Sequence, residues 1–132
     1  MEGAMILETT FLVDLEREFL SANPGRCCRF LEQQAGTRFF LTHTVAGELA
    51  CGIALAERDR WEGLVARFHV LAHTDEVDWQ YGQLFRHLKR QGQLFGANDL
   101  WIAATALTYK LPLVTRNLAH FERVPGLDVR PY

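Results

Sequence analysis

Three acidic residues stand in apolar surroundings where a charge has little structural reason to be, and their type suits a hard cation. Glu8 interrupts the run MILETTFLV from Met5 to Val13. Asp99 stands near the start of a segment in which almost every residue to Tyr109 is apolar or small on all sides of a helical wheel. Glu48 lies about 60° from Val45 on a helical projection, at the edge of the apolar face. A charge at the end of a buried strand costs roughly several kcal/mol unless it is paired or metal-bound. Three carboxylates in one pocket repel one another until a divalent ion joins them. Magnesium or manganese, with their preference for oxygen ligands, fit such a set. The chemistry that follows is phosphodiester hydrolysis, with a metal-activated water attacking in line and the metal offsetting charge at phosphorus and the leaving oxygen. Thr9, Thr115 and Asn117 are polar neighbours suited to hold metal-bound water. Taken singly, each acid has a plainer reading. Asp99 is then a cap or dipole partner and Glu48 a helix-edge charge, whereas Glu8 has no evident local structural task.

The elements that must gather these residues alternate between strand and helix. The first part of Met5–Val13 reads as a central strand rich in β-formers, followed by a short helix over Asp14–Ser21 and a break at Asn23-Pro24-Gly25. A helix over Arg26–Gln34 and a strand over Arg38–Leu41 come next. Thr42 or Thr44 caps a helix running to about Arg58, with Val45, Leu49, Ile53 and Ala56 on its apolar face. An amphipathic helix over Glu57–Phe68 leads to a strand at Val70–Ala72 and a helix over Glu76–Gln91. The buried helix begun at Asp99 is followed by a short apolar strand, Leu111–Thr115, a polar connection over Asn117–Arg123 and an edge strand at Leu127–Val129. This alternation predicts an α/β fold with a central parallel sheet of four to five strands and helices on both faces. Ligands of such sheets bind beyond the C-terminal strand ends, where the strand order switches. One pocket there would collect Glu8, Glu48, Asp99 and Asn117.

At 132 residues and 48% hydrophobic content the chain is sized for one domain with a substantial core. Met1–Ala4 reads as a disordered leader, with residues 5–132 as the domain. The net charge of −2 announces no nucleic-acid partner globally, so such a partner needs a local basic face. Arg86, His87, Lys89, Arg90 and Arg116 offer one, although a charge run on an amphipathic helix is usually its solvated side. The five histidines, His43, His69, His73, His87 and His120, lack ligand spacing and read as surface or core residues. Trp61, Trp79 and Trp101 fall in apolar helical patterns and read as core or dimer contacts. Three cysteines, two of them adjacent, make neither a disulfide framework nor a zinc site, which points to a reducing cytoplasmic setting. No apolar run reaches the length of a membrane span.

The stretch GANDLWIAATALTYKLPLVTRNLAHFERVPGL closely resembles the C-terminal half of PIN-domain ribonucleases of the VapC type. Its matching residues are Asn98, Asp99, Ile102, Ala103, Ala104, Thr115, Asn117, Phe121, Arg123, Pro125, Gly126 and Leu127. The resemblance implies a single PIN-like domain with Glu8, Glu48 and Asp99 as catalytic metal ligands. It also implies a magnesium-dependent endoribonuclease toxin cutting RNA, a cognate antitoxin that blocks the acidic pocket with a basic segment, and a homodimer. At the end of the first strand the family carries Asp followed by Thr or Ser, whereas this chain has Glu8 and Thr9. The extra methylene displaces the carboxylate by about 1.5 Å, which opens a second reading: a catalytically impaired module that binds antitoxin or RNA without cleavage. A phospho-acceptor signalling domain is disfavoured, because Lys89 and Lys110 fall on helical stretches and not at a strand end.

Overall fold

The structure, a computed structural model, describes residues 3–52 and 55–132. In chain order the elements are β1 (Ala4–Leu7), α1 (Thr9–Ser21), α2 (Arg26–Gln33), β2 (Arg38–Leu41), α3 (His43–Ala50), α4 (Arg58–Val65), β3 (His69–Val70), α5 (Asp75–Arg90), α6 (Ala97–Tyr109), β4 (Leu113–Val114), α7 (Leu118–Phe121) and β5 (Val129–Arg130). The strands form one parallel five-stranded sheet in the order β3-β2-β1-β4-β5, flanked by helices. After β3 the chain reverses its direction of travel across the sheet and adds β4 and β5 on the other side of β1. β1 sits at the centre, between β2 (Met5 opposite Phe39) and β4 (Leu7 opposite Val114). Being covered on both faces, it is a continuous apolar run, with Met5, Ile6 and Leu7 all buried. Phe11, Leu12 and Leu15 from α1 and Leu100, Ile102 and Ala103 from α6 close over it, so α6 is buried as its composition predicts. No described helix is long and apolar enough to cross a membrane.

Several boundaries differ from expectation. Ala4, assigned above to the leader, opens β1 opposite Arg38, and Met1 and Glu2 lie outside the described residues. The helix capped by Thr42, whose hydroxyl accepts from the Val45 amide at 3.0 Å, ends at Ala50 and not near Arg58. Gly47 and Gly52 weaken propagation there; Ile53 lies outside the described residues, and Ala56 is exposed. The polar connection after Thr115 contains α7, which drives Phe121 fully into the core. The third and last strands each shift, to His69–Val70 and Val129–Arg130. Trp79 is 61% exposed and so is no core residue, while Trp101 stacks on Tyr81 at 3.7 Å. Gly126 takes φ +79 in the tight turn before β5, a conformation an L side chain resists.

The start of α2 shows how one carboxylate joins two helices. Its N-cap, Gly25, has no side chain to satisfy the free amides of the first turn. Glu18 of α1 does so instead, accepting from the amides of Gly25 at 2.6 Å, Cys27 at 2.9 Å and Cys28 at 3.0 Å. A Cβ at Gly25 would stand 2.8 Å from the Glu18 carboxyl carbon. Burial pushes the Glu18 pKa up, but the hydrogen bonds from Cys28, Cys27 and Gly25 outweigh it and bring it from 4.5 to about 2. A depressed carboxylate stabilises the fold fully above its unfolded value and loses that contribution as the pH falls through the folded one. Glu18→Ala is therefore expected to cost about 1–2 kcal/mol at neutral pH. Urea unfolding should show the difference from the parent narrowing between pH 4.5 and about 2, and a pH-independent loss would contradict this account.

Candidate active site

β1 delivers Glu8 to the C-terminal edge of the sheet, where its backbone N–H donates to Val114 of β4 at 2.9 Å. Glu8 is also the N-cap of α1, in extended conformation at φ −84, ψ 163. Its Oε2 accepts from the Thr10 amide at 2.7 Å, the Thr10 hydroxyl at 2.6 Å and the Thr115 hydroxyl at 3.1 Å. The acid that looked purposeless in sequence thus has a structural task. It is 4% exposed. Burial raises its pKa, the hydrogen bonds from Thr10 and Thr115 oppose that rise, and the nearby charge of Asp99 adds to it.

The other two acids approach from different elements. Glu48, half-buried on α3, accepts a 2.7 Å hydrogen bond from the Thr9 hydroxyl at the start of α1. It also borders a cavity of about 240 Å³ with Val13, Glu16, Arg17, Leu20 and Leu49 among its walls. Asp99 lies in the first turn of α6, where the positive end of the helix favours it. It does not cap that helix, whose N-cap is Gly96. Its Oδ2 stands 2.9 Å from His120 Nε2, outside the angular range of a hydrogen bond, so that this buried nitrogen has no hydrogen-bond partner among the described residues. Asn117 is exposed, and its backbone N–H, not its side chain, reaches the site by donating to Thr115 Oγ1 at 3.0 Å.

Thr115 therefore meets Glu8 and Thr9 meets Glu48, while Asp99 acts on Glu8 through its charge. Each carboxylate is turned to its own neighbour, and no group of three or more His, Cys, Asp or Glu side chains among the described residues stands close enough to hold a metal ion as placed. Sequence reasoning missed Thr10, whose hydroxyl bonds Glu8 and accepts from the Arg116 amide at 3.1 Å. The signal was its position two residues after an N-cap acid. It also missed Asp14, which takes both oxygens' worth of Arg116 at 2.9 and 3.0 Å and the Tyr132 hydroxyl at 2.5 Å. Arg116, read as part of a basic rim, is tied down by that pair.

The family model of the PIN domain matches residues 5–127. The chain belongs to the PIN domain family. Among relatives, Ribonuclease VapC1 of Haemophilus influenzae strain R2866 is 39% identical over 67 residues, 51% of this chain and 50% of that protein. The chain thus spans about half the length of that relative. Ribonuclease VapC1 of Methanocaldococcus jannaschii is 26% identical over 132 residues, 99% of this chain and 88% of the relative. Among solved structures, VapBC2 of Rickettsia felis bound to a promoter DNA fragment is similar with TM-score 0.83 and 24% identity, covering 98% of both chains. That likeness is one of fold. In this PIN domain Glu8 is the residue after β1, Thr9 the first residue of α1, Asp99 stands in the first turn of α6 and Thr115 is the residue after β4.

The raised pKa of Glu8 means that folding binds a proton there. Its stabilising contribution is present at acid pH and is lost as the pH rises through the folded value. Glu8→Gln retains an acceptor for the Thr10 amide and removes the buried charge. In chelator, the variant is expected to melt above the parent at pH 8 and to lose that advantage at pH 4. A melting point below the parent's at both pH values would show that the charge itself holds the site together.

Proposed function

We propose that this PIN domain is a divalent-metal-dependent endoribonuclease, with Glu8, Glu48 and Asp99 as its metal-binding and catalytic acids. The observation that carries the reading is the placement of a desolvated Glu8 within reach of the Asp99 charge at the C-terminal edge of β1. Burying like charges together is unfavourable unless a cation joins them. The names of the similar VapC ribonucleases support the same reaction class. The donor set fits the ion in kind, being all carboxylate oxygen, which suits magnesium or manganese. In arrangement it fits once Glu8 and Glu48 give up part of their present hydrogen bonds, Glu8 to Thr10 and Thr115 and Glu48 to Thr9, and turn toward Asp99. When bound, the ion supplies Lewis acidity that activates water and offsets charge at phosphorus. Thr9 and Thr115 hold the carboxylates in line from behind, and Asn117, exposed beside Thr115, orients water or a phosphate oxygen at the rim.

The same resemblance supports a cognate antitoxin that inhibits the enzyme with a basic segment, a homodimer, and a cytoplasmic site of action where RNA is the substrate. An Arg-rich peptide should then compete with magnesium at the three acids, raising the magnesium concentration needed for half-maximal cleavage.

Cleavage of a mixed cellular RNA pool by the purified chain tests the central claim. Activity should require magnesium, stop with chelator and fall by roughly a hundredfold or more in Asp99→Ala. Glu8→Asp should keep metal-dependent cleavage, since Asp also caps a helix well. Cleavage that survives chelator and Asp99→Ala alike would refute the assignment.

A further inference from the structure

His120 has no part in the reaction as proposed, yet its Nε2 is buried and without a hydrogen-bond partner among the described residues. Asp99 Oδ2 is only 2.9 Å away, so the missing bond is a failure of angle and not of distance. Two atoms that ligate one small divalent ion side by side, each about 2.1 Å from it, would stand about 3 Å apart. The observed separation of 2.9 Å matches that arrangement. The ring is also fixed in place. It packs edge-on against Phe95 at 4.5 Å and against Phe121 at 5.6 Å, and Phe121 is wholly buried.

We propose that His120 Nε2 is a ligand, together with Asp99 Oδ2, to the divalent ion at this edge, and that the nitrogen makes the site favour manganese over magnesium. The inference rests on the reading that the acids receive such an ion. Imidazole suits first-row transition ions, whereas magnesium prefers an all-oxygen shell and keeps its waters. A site of carboxylates alone would draw no comparable distinction. His120 thus sets which ion the enzyme carries, from α7, an element that contributes none of the three acids.

The test uses the whole chain, titrated with manganese and with magnesium by calorimetry, and pulsed EPR of the manganese-loaded protein. The parent should bind manganese roughly tenfold or more tightly than magnesium and show hyperfine coupling to a histidine nitrogen. His120→Phe refills the aromatic slot beside Phe95. It should lose the nitrogen coupling and about tenfold or more in manganese affinity, with magnesium affinity within about threefold of the parent. A nitrogen-free manganese spectrum in the parent would overturn the proposal, as would equal weakening of both ions in the variant. RNA cleavage by the same preparations separates the two readings. Cleavage with a nitrogen-free ion defeats the His120 assignment and keeps the nuclease, a nitrogen-ligated ion without cleavage does the reverse, and a parent that binds neither ion defeats both.

Discussion

The carboxylate of Glu8 ties three pieces of chain to one point: the end of the central strand, the first turn of α1 and the residue that follows β4. Its burial is costly, and three donors on one oxygen repay part of that cost, since hydrogen bonds to a charged group contribute about 1.5–3 kcal/mol each. The threonines earn their positions from this requirement. Thr10 serves Glu8 through its amide and its hydroxyl and then receives the Arg116 amide, while Thr115 turns to Glu8 and receives the Asn117 amide. The loop after β4 is thereby shaped by the same acid that ends β1. The acid proposed for chemistry is also a joint of the scaffold, so a change at Glu8 disturbs the local fold whatever else it does.

A second carboxylate repeats the device one layer out. Asp14 of α1 grips the Arg116 guanidinium and the Tyr132 hydroxyl, and the Tyr132 ring packs edge-on against Phe11 at 4.8 Å. The last residue of the chain is thus held against the helix that Glu8 caps. Exposed ion pairs contribute little by themselves, and the value of this one lies in direction: it turns Arg116 toward α1 and lowers the free positive charge available at the rim of the pocket.

The parts of this architecture that could be read from the sequence are those where burial acts on a whole segment. Met5–Leu7 and Leu111–Thr115 are apolar without alternation because parallel strands are covered on both faces, and α6 lacks a polar stripe because it is enclosed by neighbours. Glu8, Glu48 and Asp99 stood out by the same logic, as charges beside apolar segments, but the described residues do not bring them together as one metal-holding group. What escaped was set by angle and by pairing at long range. An acid at a strand end and an N-cap look alike until the next residue turns, so the capping role of Glu8 was hidden by the strand pattern before it. Phe121 carried a core signal within a stretch read as polar. His120 gave no signal at all, because its meaning depends on a helix 21 residues earlier.

The sheet order has a consequence for how the protein comes into being. β1 pairs with β4, and the bond from Thr115 to Glu8 spans 107 positions. The ribosome releases β1, α1, α2, β2 and α3 first, so Glu8, Glu48 and Thr9 exist as a half-site long before α6 and β4 emerge. Contacts this distant in sequence also form late, since loop closure must precede the gain. A truncated or still-growing chain therefore exposes one flank of β1 and lacks Asp99. The third acid thus joins the other two only in the step that also closes the second flank of the central strand.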